Sequence, residues 1–340
     1  MTSYPTILNR LLDRHDLEHE QMLALMHAMM VGELTPAQTG AALAALRCKG
    51  ETVTEIAAAA EVMRALSTRV DLPDLPDLVD TCGTGGDGAH TFNISTASAI
   101  TAAAAGVRVA KHGGRSVSSI SGSADVLEAL GVNVNLTAAQ VAASVRETGI
   151  GFMFAPNHHS AMKHAAPVRR ELGVRTLFNL LGPLTNPAGA ANQVIGVYSG
   201  HLPARIAHAL NQLGSRHVLV VHGAGGMDEL SLAGESRIAE LKAGEVVEYS
   251  IQPEQFGLER AETASLQVDS LESATRLLRA ALANQHRAAA DIVALNAGAA
   301  IYVSGKVSSL AEGVHLAARQ IDSGAATAKL EQLIDFTRHV

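Results

Sequence analysis

The residues with the clearest chemical potential are the glycines and hydroxyls of DTCGTGGDGAHTFNIST, positions 80 to 96. Gly83, Gly85, Gly86 and Gly88 can bring backbone N–H groups close to an anion, and a helix N-terminus beyond them favours negative charge. Ser95 and Thr96, read as the cap region of that helix, add hydroxyl donors. The chemistry on offer is a phosphate cradle; the plainer alternative is a mobile turn closed by a Ser/Thr cap. Gly83, Gly85 and Gly88 also match G-x-G-x-x-G, but the dinucleotide reading fails. Phe92 and Asn93 intervene before the helix, and no acidic residue stands about 20 positions on to hold a ribose. No Gly-Lys-Ser/Thr follows, so the Walker pattern is absent as well.

A second donor-rich stretch, KHGGRSVSS at 111 to 119, decides between a cradle and a simple turn. Lys111, His112, Arg115, Ser116, Ser118 and Ser119 surround Gly113, Gly114 and Val117, and Ser123 is read as the N-cap of the next helix. Two such loops suit a ligand with two separated phosphate groups, and Lys and Arg bring the charge that glycine lacks. Asp228 and Glu229 follow HVLVVHGAGGM, after a strand, where ligands of α/β proteins collect. Taken alone, an Asp-Glu pair is more commonly an exposed acidic turn. Arg169, Arg170 and Arg175 read either as a solvated basic face or as a source of one bidentate carboxylate partner. His158 and His159, being adjacent, do not share one face of a helix. Cys82 has no positioned base and reads as a small buried residue.

These residues need a scaffold, and hydrophobic periodicity supplies one. Residues 1 to 70 are read as helices alone, at ILNRLLDRHD, EQMLALMHAMMVG, PAQTGAALAALRCKG and VTEIAAAAEVMRAL, the third opened by Thr35, Pro36 and Gln38. DLPDLPDL, 71 to 78, is read as a connector between domains. Beyond it, short strands (LVDTC, VRVAKHG, GFMFAP, QVIGVYS, HVLVVHG) alternate with helices, and SRIAELKAGEVVEYS is read as a hairpin. Alternation of this kind predicts an α/β domain with a central, mostly parallel sheet.

Composition sets the class. The chain has 340 residues, 47% hydrophobic and 17% charged, as in ordinary globular proteins. Its formal net charge of −7 argues against a nucleic-acid partner, and any anionic ligand must be met by local positive groups. The longest apolar run, ASAITAAAAGV, is shorter than the roughly 20 residues of a bilayer span. MTSYPTILNRLLDRHD does not read as a signal peptide. Two cysteines, Cys48 and Cys82, make neither a disulfide framework nor a zinc site. The expectation is a cytoplasmic protein with no membrane partner.

GTGGD, NIST, the KHG–R–SVSS loop, SGSADVLEALG, PVRRELGVRTLFNLLGPLTNPA and GMDEL, in this order and spacing, resemble the anthranilate phosphoribosyltransferase family over essentially the whole chain. The resemblance implies a tryptophan-biosynthesis enzyme that joins anthranilate to phosphoribosyl pyrophosphate, releases pyrophosphate and requires Mg²⁺. It implies a small all-helical N-terminal domain plus a larger α/β domain, nucleoside phosphorylase-like, and a homodimer formed through the helical domain. Residues 1–70, joined by 165–185, would make the helical domain, and 75–164 with 186–340 the α/β domain.

The same resemblance assigns the donor site to Gly83, Gly86, Asp87, Thr91, Asn93, Ile94, Ser95, Thr96, the run from Lys111 to Ser119, and Ser123. Anthranilate would meet Gly83, Gly114 and, through its carboxylate, Arg169. Ser95, Asp228 and Glu229 would hold the metal. No dedicated base is implied, since an aromatic amine is neutral and nucleophilic at pH 7; His112 is one possible proton acceptor. The family reads K-H-G-N-R where this chain has Gly114, and proline where it has Ser160. The missing asparagine side chain leaves a different aromatic acceptor open. A nucleoside phosphorylase, using inorganic phosphate and lacking the Asp-Glu pair, is the other alternative.

Overall fold

The computed structural model describes residues 3–116 and 120–340. Four helices come first, Tyr4–Leu12, His19–Val31, Pro36–Lys49 and Val53–Ala65. Thr35 and Thr52 each accept a hydrogen bond from the third helical residue while Gln38 and Glu55 reach back to the cap amide, so these starts are fixed by sequence within four residues. The stretch 71 to 78 contains turns and no regular element.

Seven strands follow: β1 (Val79–Gly83), β2 (Val109–Gly113), β3 (Ile150–Phe154), β4 (Asn192–Gly196), β5 (His217–His222), β6 (Ser236–Lys242) and β7 (Glu245–Ile251). They form one sheet in the order β3-β2-β1-β4-β5-β6-β7. β1 to β5 pair in parallel, whereas β6 and β7 continue the edge as an antiparallel hairpin. Both the mostly parallel sheet and the hairpin agree with the sequence reading.

Alternation along the strands feeds two cores. Val194, Leu219 and Val221 face a core with the helices Ile94–Ala104 and Arg287–Val303. Their neighbours Ile195, Val218 and Val220 face the other side, where the N-terminal helices and Pro203–Gln212 pack. Burial on both faces is the ordinary condition of a parallel sheet. The same second core takes in Ala165, Leu177, Phe178 and Leu181, so mid-chain residues pack with the N-terminal bundle. Arg287–Val303 is buried nearly throughout, and its Gly298 meets Gly313 of the helix Leu310–Asp322 backbone to backbone.

Two helix starts differ from the sequence reading. The helix after the glycine loop begins at Ile94 with Asn93 at its cap position, so Ser95 and Thr96 lie inside the first turn. The helix after the second loop begins at Ser123, and Gly122 occupies the cap. In the first case a long-range partner displaces the local rule, Asn93 bonding Ser121 instead of its own helix; in the second the partner is local, the Asp125 carboxylate three residues on taking the Gly122 amide.

Candidate active site

β1, β2 and β5 all end at the same edge of the sheet, and the loops that leave them converge there. Gly85, Gly86 and Gly88 adopt φ of +66°, +72° and +74°, the left-handed region that only glycine enters freely. The loop is pinned from outside. The Gly85 amide donates to Asp228 Oδ2 at 2.7 Å, and the Asp228 amide donates to Asp87 Oδ2 at 3.3 Å. A Cβ on Gly83 would lie 2.3 Å from Asp228 Oδ2, and one on Gly196 would lie 1.4 Å from the Asp228 carbonyl oxygen. Glycines on two adjacent strands therefore make room for Asp228 against the sheet edge. Arg175 completes the fixation by donating to the Gly86 carbonyl.

Lys111 is the charge at the centre. It is 2% exposed, yet its Nζ reaches the Thr81 carbonyl and Ser95 Oγ, the latter at 3.3 Å. Thr81 Oγ1 in turn donates to the Ser95 carbonyl at 3.0 Å. Beneath them lies Asp80, fully buried. Its carboxylate accepts from the His112 amide at 3.1 Å and from Asn186 Nδ2 at 2.8 Å. Burial pushes the Asp80 carboxyl up, opposed by Lys111 and these hydrogen bonds. Thr96 Oγ1 is buried without a partner, Ile94 is buried, and Thr91 makes an isolated antiparallel bridge to Gln267.

The acidic side of the site is short of positive charge. Burial, and then Asp87, push the Asp228 carboxyl up to about 7. Burial and then Asp228 raise Glu229, with Lys111 opposing. Among the described residues no three His, Cys, Asp or Glu side chains are arranged to hold a metal alone. Hard oxygen donors whose charged forms are disfavoured by burial and by one another fit Mg²⁺, which takes one or two carboxylates and completes its shell with phosphate oxygens.

In the second loop Arg115 is paired with Asp125 at 2.8 Å and Glu128 at 2.6 Å, and lies over the Phe154 ring. Asp125 also accepts from the Ser116 amide at 3.1 Å. Val117, Ser118 and Ser119 lie outside the described residues. Gly113 stands next to Ser123, and among the described residues a Cβ on Gly114 would meet nothing nearer than Ala155 at 3.9 Å. His112 and His159 stack edge to face with centroids 5.0 Å apart, each with an unpartnered Nε2. Burial, then the neighbouring histidines, press His112 down to about 3, so its imidazole is neutral.

Arg169 has no ion pair or hydrogen-bond partner among the described residues; its guanidinium lies over Phe178 at 5.1 Å. Burial lowers its pKa. The structure thus brings the two loops, Ser95 and the Asp228–Glu229 turn to one sheet edge. Among the described residues no hydrogen bond or ion pair ties Arg169 to them. Cys82 is not a nucleophile: burial, then Asp80, raises its thiol well above the usual range. Asp80, Asn186, Arg175, Ser121 and Gly196 were not singled out from the sequence as parts of this site. Asn186 and Arg175 do lie within the PVRRELGVRTLFNLLGPLTNPA motif.

Residues 75–327 match the glycosyl transferase family α/β domain, and residues 5–67 its helical bundle domain. The anthranilate phosphoribosyltransferase of Nitrosomonas europaea is 59% identical over 334 residues, 98% of each chain, and that of Methylobacillus flagellatus is 59% identical over 96% of each. The chain belongs to the anthranilate phosphoribosyltransferase family. Among solved members of that family, the Thermus thermophilus enzyme superposes with a TM-score of 0.92 at 46% identity, covering 98% of this chain and 99% of that one. The Saccharomyces cerevisiae enzyme in complex with PRPP and Mg gives a TM-score of 0.88 at 28% identity over 99% and 98%.

Proposed function

We propose that this protein transfers the 5-phosphoribosyl group of phosphoribosyl pyrophosphate to the amine of anthranilate, releasing pyrophosphate, in tryptophan biosynthesis. The observation that carries this reading is 59% identity with an anthranilate phosphoribosyltransferase along 98% of both chains, in a molecule whose two anion loops and acidic turn meet at one edge.

The reaction breaks the bond from the ribose anomeric carbon to diphosphate oxygen and forms one from that carbon to the amine nitrogen, which then sheds a proton. Positive charge grows on the ribose and negative charge on the leaving group, so positioned electrostatics is the main task. The donor lies along the glycine loop at Gly83, Gly86 and Asp87, with Thr91, Asn93, Ile94, Ser95 and Thr96. It continues past Lys111, His112, Gly113, Gly114, Arg115 and the Ser116–Ser119 stretch to Ser123. Lys111, already bonded to Ser95 Oγ, carries fixed positive charge to the leaving group. Asp228, Glu229 and Ser95 hold Mg²⁺, which when bound supplies neutralising charge to the diphosphate. Arg169, which lies over Phe178 and makes no ion pair or hydrogen bond among the described residues, pairs with the anthranilate carboxylate, and Gly83 and Gly114 line the acceptor. His112, neutral and weakly basic with an open Nε2, is at most an assisting proton acceptor.

The helical domain comprises 1–70 with 165–185, supported by the shared core of Met26, Leu43, Ala165 and Phe178. It pairs two copies into a homodimer, consistent with Leu12 at 62% exposure on the first helix. No helix among the described residues is long and apolar enough to cross a membrane, which is consistent with a cytoplasmic enzyme. The deciding assay follows the loss of anthranilate fluorescence with the phosphoribosyl donor present. Turnover with Mg²⁺ and its loss on chelation are expected; anthranilate left unconsumed under both conditions would reject the reading, and light scattering tests the dimer.

A further inference from the structure

A cavity lined by none of the glycine-loop residues lies where the end of the helix Pro36–Lys49, the segment 175–180 and the start of the helix Pro203–Gln212 meet. It holds about 220 Å³ and is walled by three arginines, Arg47, Arg175 and Arg205, with His201 at its rim. Arg47 comes from the end of the helix Pro36–Lys49, Arg205 from the first turn of Pro203–Gln212, and Arg175 from the segment between. The reaction described above uses none of these cations directly.

Three further observations point to a ligand. Thr176 lines the cavity, is 4% exposed, and its Oγ1 is buried with no hydrogen-bond partner. A buried hydroxyl left unpaired costs free energy unless something meets it. The ten-residue helix Pro203–Gln212 opens at the cavity with no side chain capping its N-terminus, so its positive end is uncompensated. The lining carries one acid, Glu51, against three arginines; burial pushes its carboxyl up with Arg47 and Arg205 opposing, and Arg205 Nη1 donates to the Glu51 backbone carbonyl at 3.1 Å.

We propose that this cavity is a binding site for a compact phosphate-type oxyanion, inorganic phosphate or diphosphate, held by Arg47, Arg175, Arg205 and the Thr176 hydroxyl. Planar guanidinium donors, a hydroxyl and a helix N-terminus are the donor set such an anion selects. Arg175 lies over the Tyr198 ring at 4.1 Å and also donates to the Gly86 carbonyl, so the bound anion sits one side chain from the glycine loop. The inference does not depend on the transferase reading.

Phosphate and diphosphate are titrated separately into the full-length protein by calorimetry, beside Arg47→Ala, Arg205→Ala and Thr176→Val. Loss of one charged partner is expected to weaken binding by roughly 10- to 100-fold, and loss of the hydroxyl by roughly 2- to 10-fold. Thr176→Val is isosteric and is expected to melt no lower than the parent chain, because the hydroxyl it removes has no internal partner. Competition of diphosphate with the phosphoribosyl donor is expected to be unchanged in Arg47→Ala, which separates this cavity from the loops. Unaltered affinity for both anions in folded Arg47→Ala and Arg205→Ala would overturn the proposal. So would benzoate displacing phosphate from the parent protein at lower concentration than phosphate itself needs.

Discussion

A cluster of half-buried carboxylates lies at each end of strand β5, and the two clusters are built on opposite principles. At its start, Glu240 of the neighbouring strand accepts from Tyr302 at 2.8 Å and Tyr249 at 2.9 Å and bonds His217 at 2.9 Å. Burial pushes this carboxyl up, but His217 and the two tyrosines outweigh it and hold it at about 2. Beyond its end, Asp228 and Glu229 stand beside Asp87 with backbone amides and one lysine for company, and their carboxyls are raised. The first cluster is closed and its charge satisfied by the fold. The second leaves negative charge that the fold does not balance, which is what a site awaiting a cation and its diphosphate requires. Local rules are expected to fail where function needs them to.

The sharpest way to break the comparison is Asp228→Asn. It removes the charge and keeps the size, and turnover is expected to fall by about 10²–10³-fold, the scale of losing a preorganised electrostatic contact. Thermal stability should hold or rise, because a crowded charge is relieved. Steady-state kinetics beside a melting curve tests both halves; intact turnover, or a fall in turnover matched by a fall in stability, would remove the distinction between the two ends of β5. Next in size is Arg169→Ala. A charge-assisted pair worth about 1.5–3 kcal/mol predicts an anthranilate KM raised roughly 10- to 100-fold. The donor KM should stay within about twofold; equal rises in both constants would take Arg169 away from the acceptor.

At the closed end the effect is on stability and its pH dependence. A carboxyl held below its unfolded value of about 4.3 contributes stability above that pH. That contribution disappears as pH falls through about 2, where Glu240 protonates in the folded protein. Glu240→Gln should therefore flatten the acid limb of stability between about pH 4.5 and 2 and lower stability at neutral pH by about 1–3 kcal/mol. Turnover at pH 7 should not change. Chemical denaturation across that window reads the first result, and an acid limb as steep as the parent's would show that Glu240 is not the group responsible.

The contrast also explains what could be read along the chain. β-branched runs that end in glycine mark β1, β2 and β5 and the loops that leave them, because strand, breaker and helix lie within 20 residues. The pairing of Asp228 with Gly85 spans 143 residues, and Gly196 is fixed as glycine by a carbonyl 32 positions later. Contacts of that range leave no local pattern. The same holds for the closed cluster, where Tyr302 reaches Glu240 across 62 residues. Of the two helix starts misread from sequence, the one at Asn93 failed for the same reason, since Asn93 spends its side chain on Ser121, 28 positions away; at Gly122 the partner is local, the Asp125 carboxylate three residues on. Arg175 read as one of three interchangeable basic residues, and only the fold sets it apart, by placing it on the Gly86 carbonyl.

The finest test concerns the one position in the open half where a side chain is missing. Gly114 is not in the left-handed region, and among the described residues a Cβ there meets only Ala155 at 3.9 Å. Gly114→Asn is therefore expected to fold without strain, unlike any replacement at Gly83 or Gly196. If the acceptor lies beside this residue, the amide adds one hydrogen bond, worth about 0.5–1.5 kcal/mol net. The anthranilate KM should then fall by roughly 2- to 12-fold with the donor KM unchanged. The closed cluster offers the control, since nothing at Glu240 should alter either constant. A donor KM that moved instead would put position 114 on the phosphoribosyl side of the site and shift the acceptor away from the second loop.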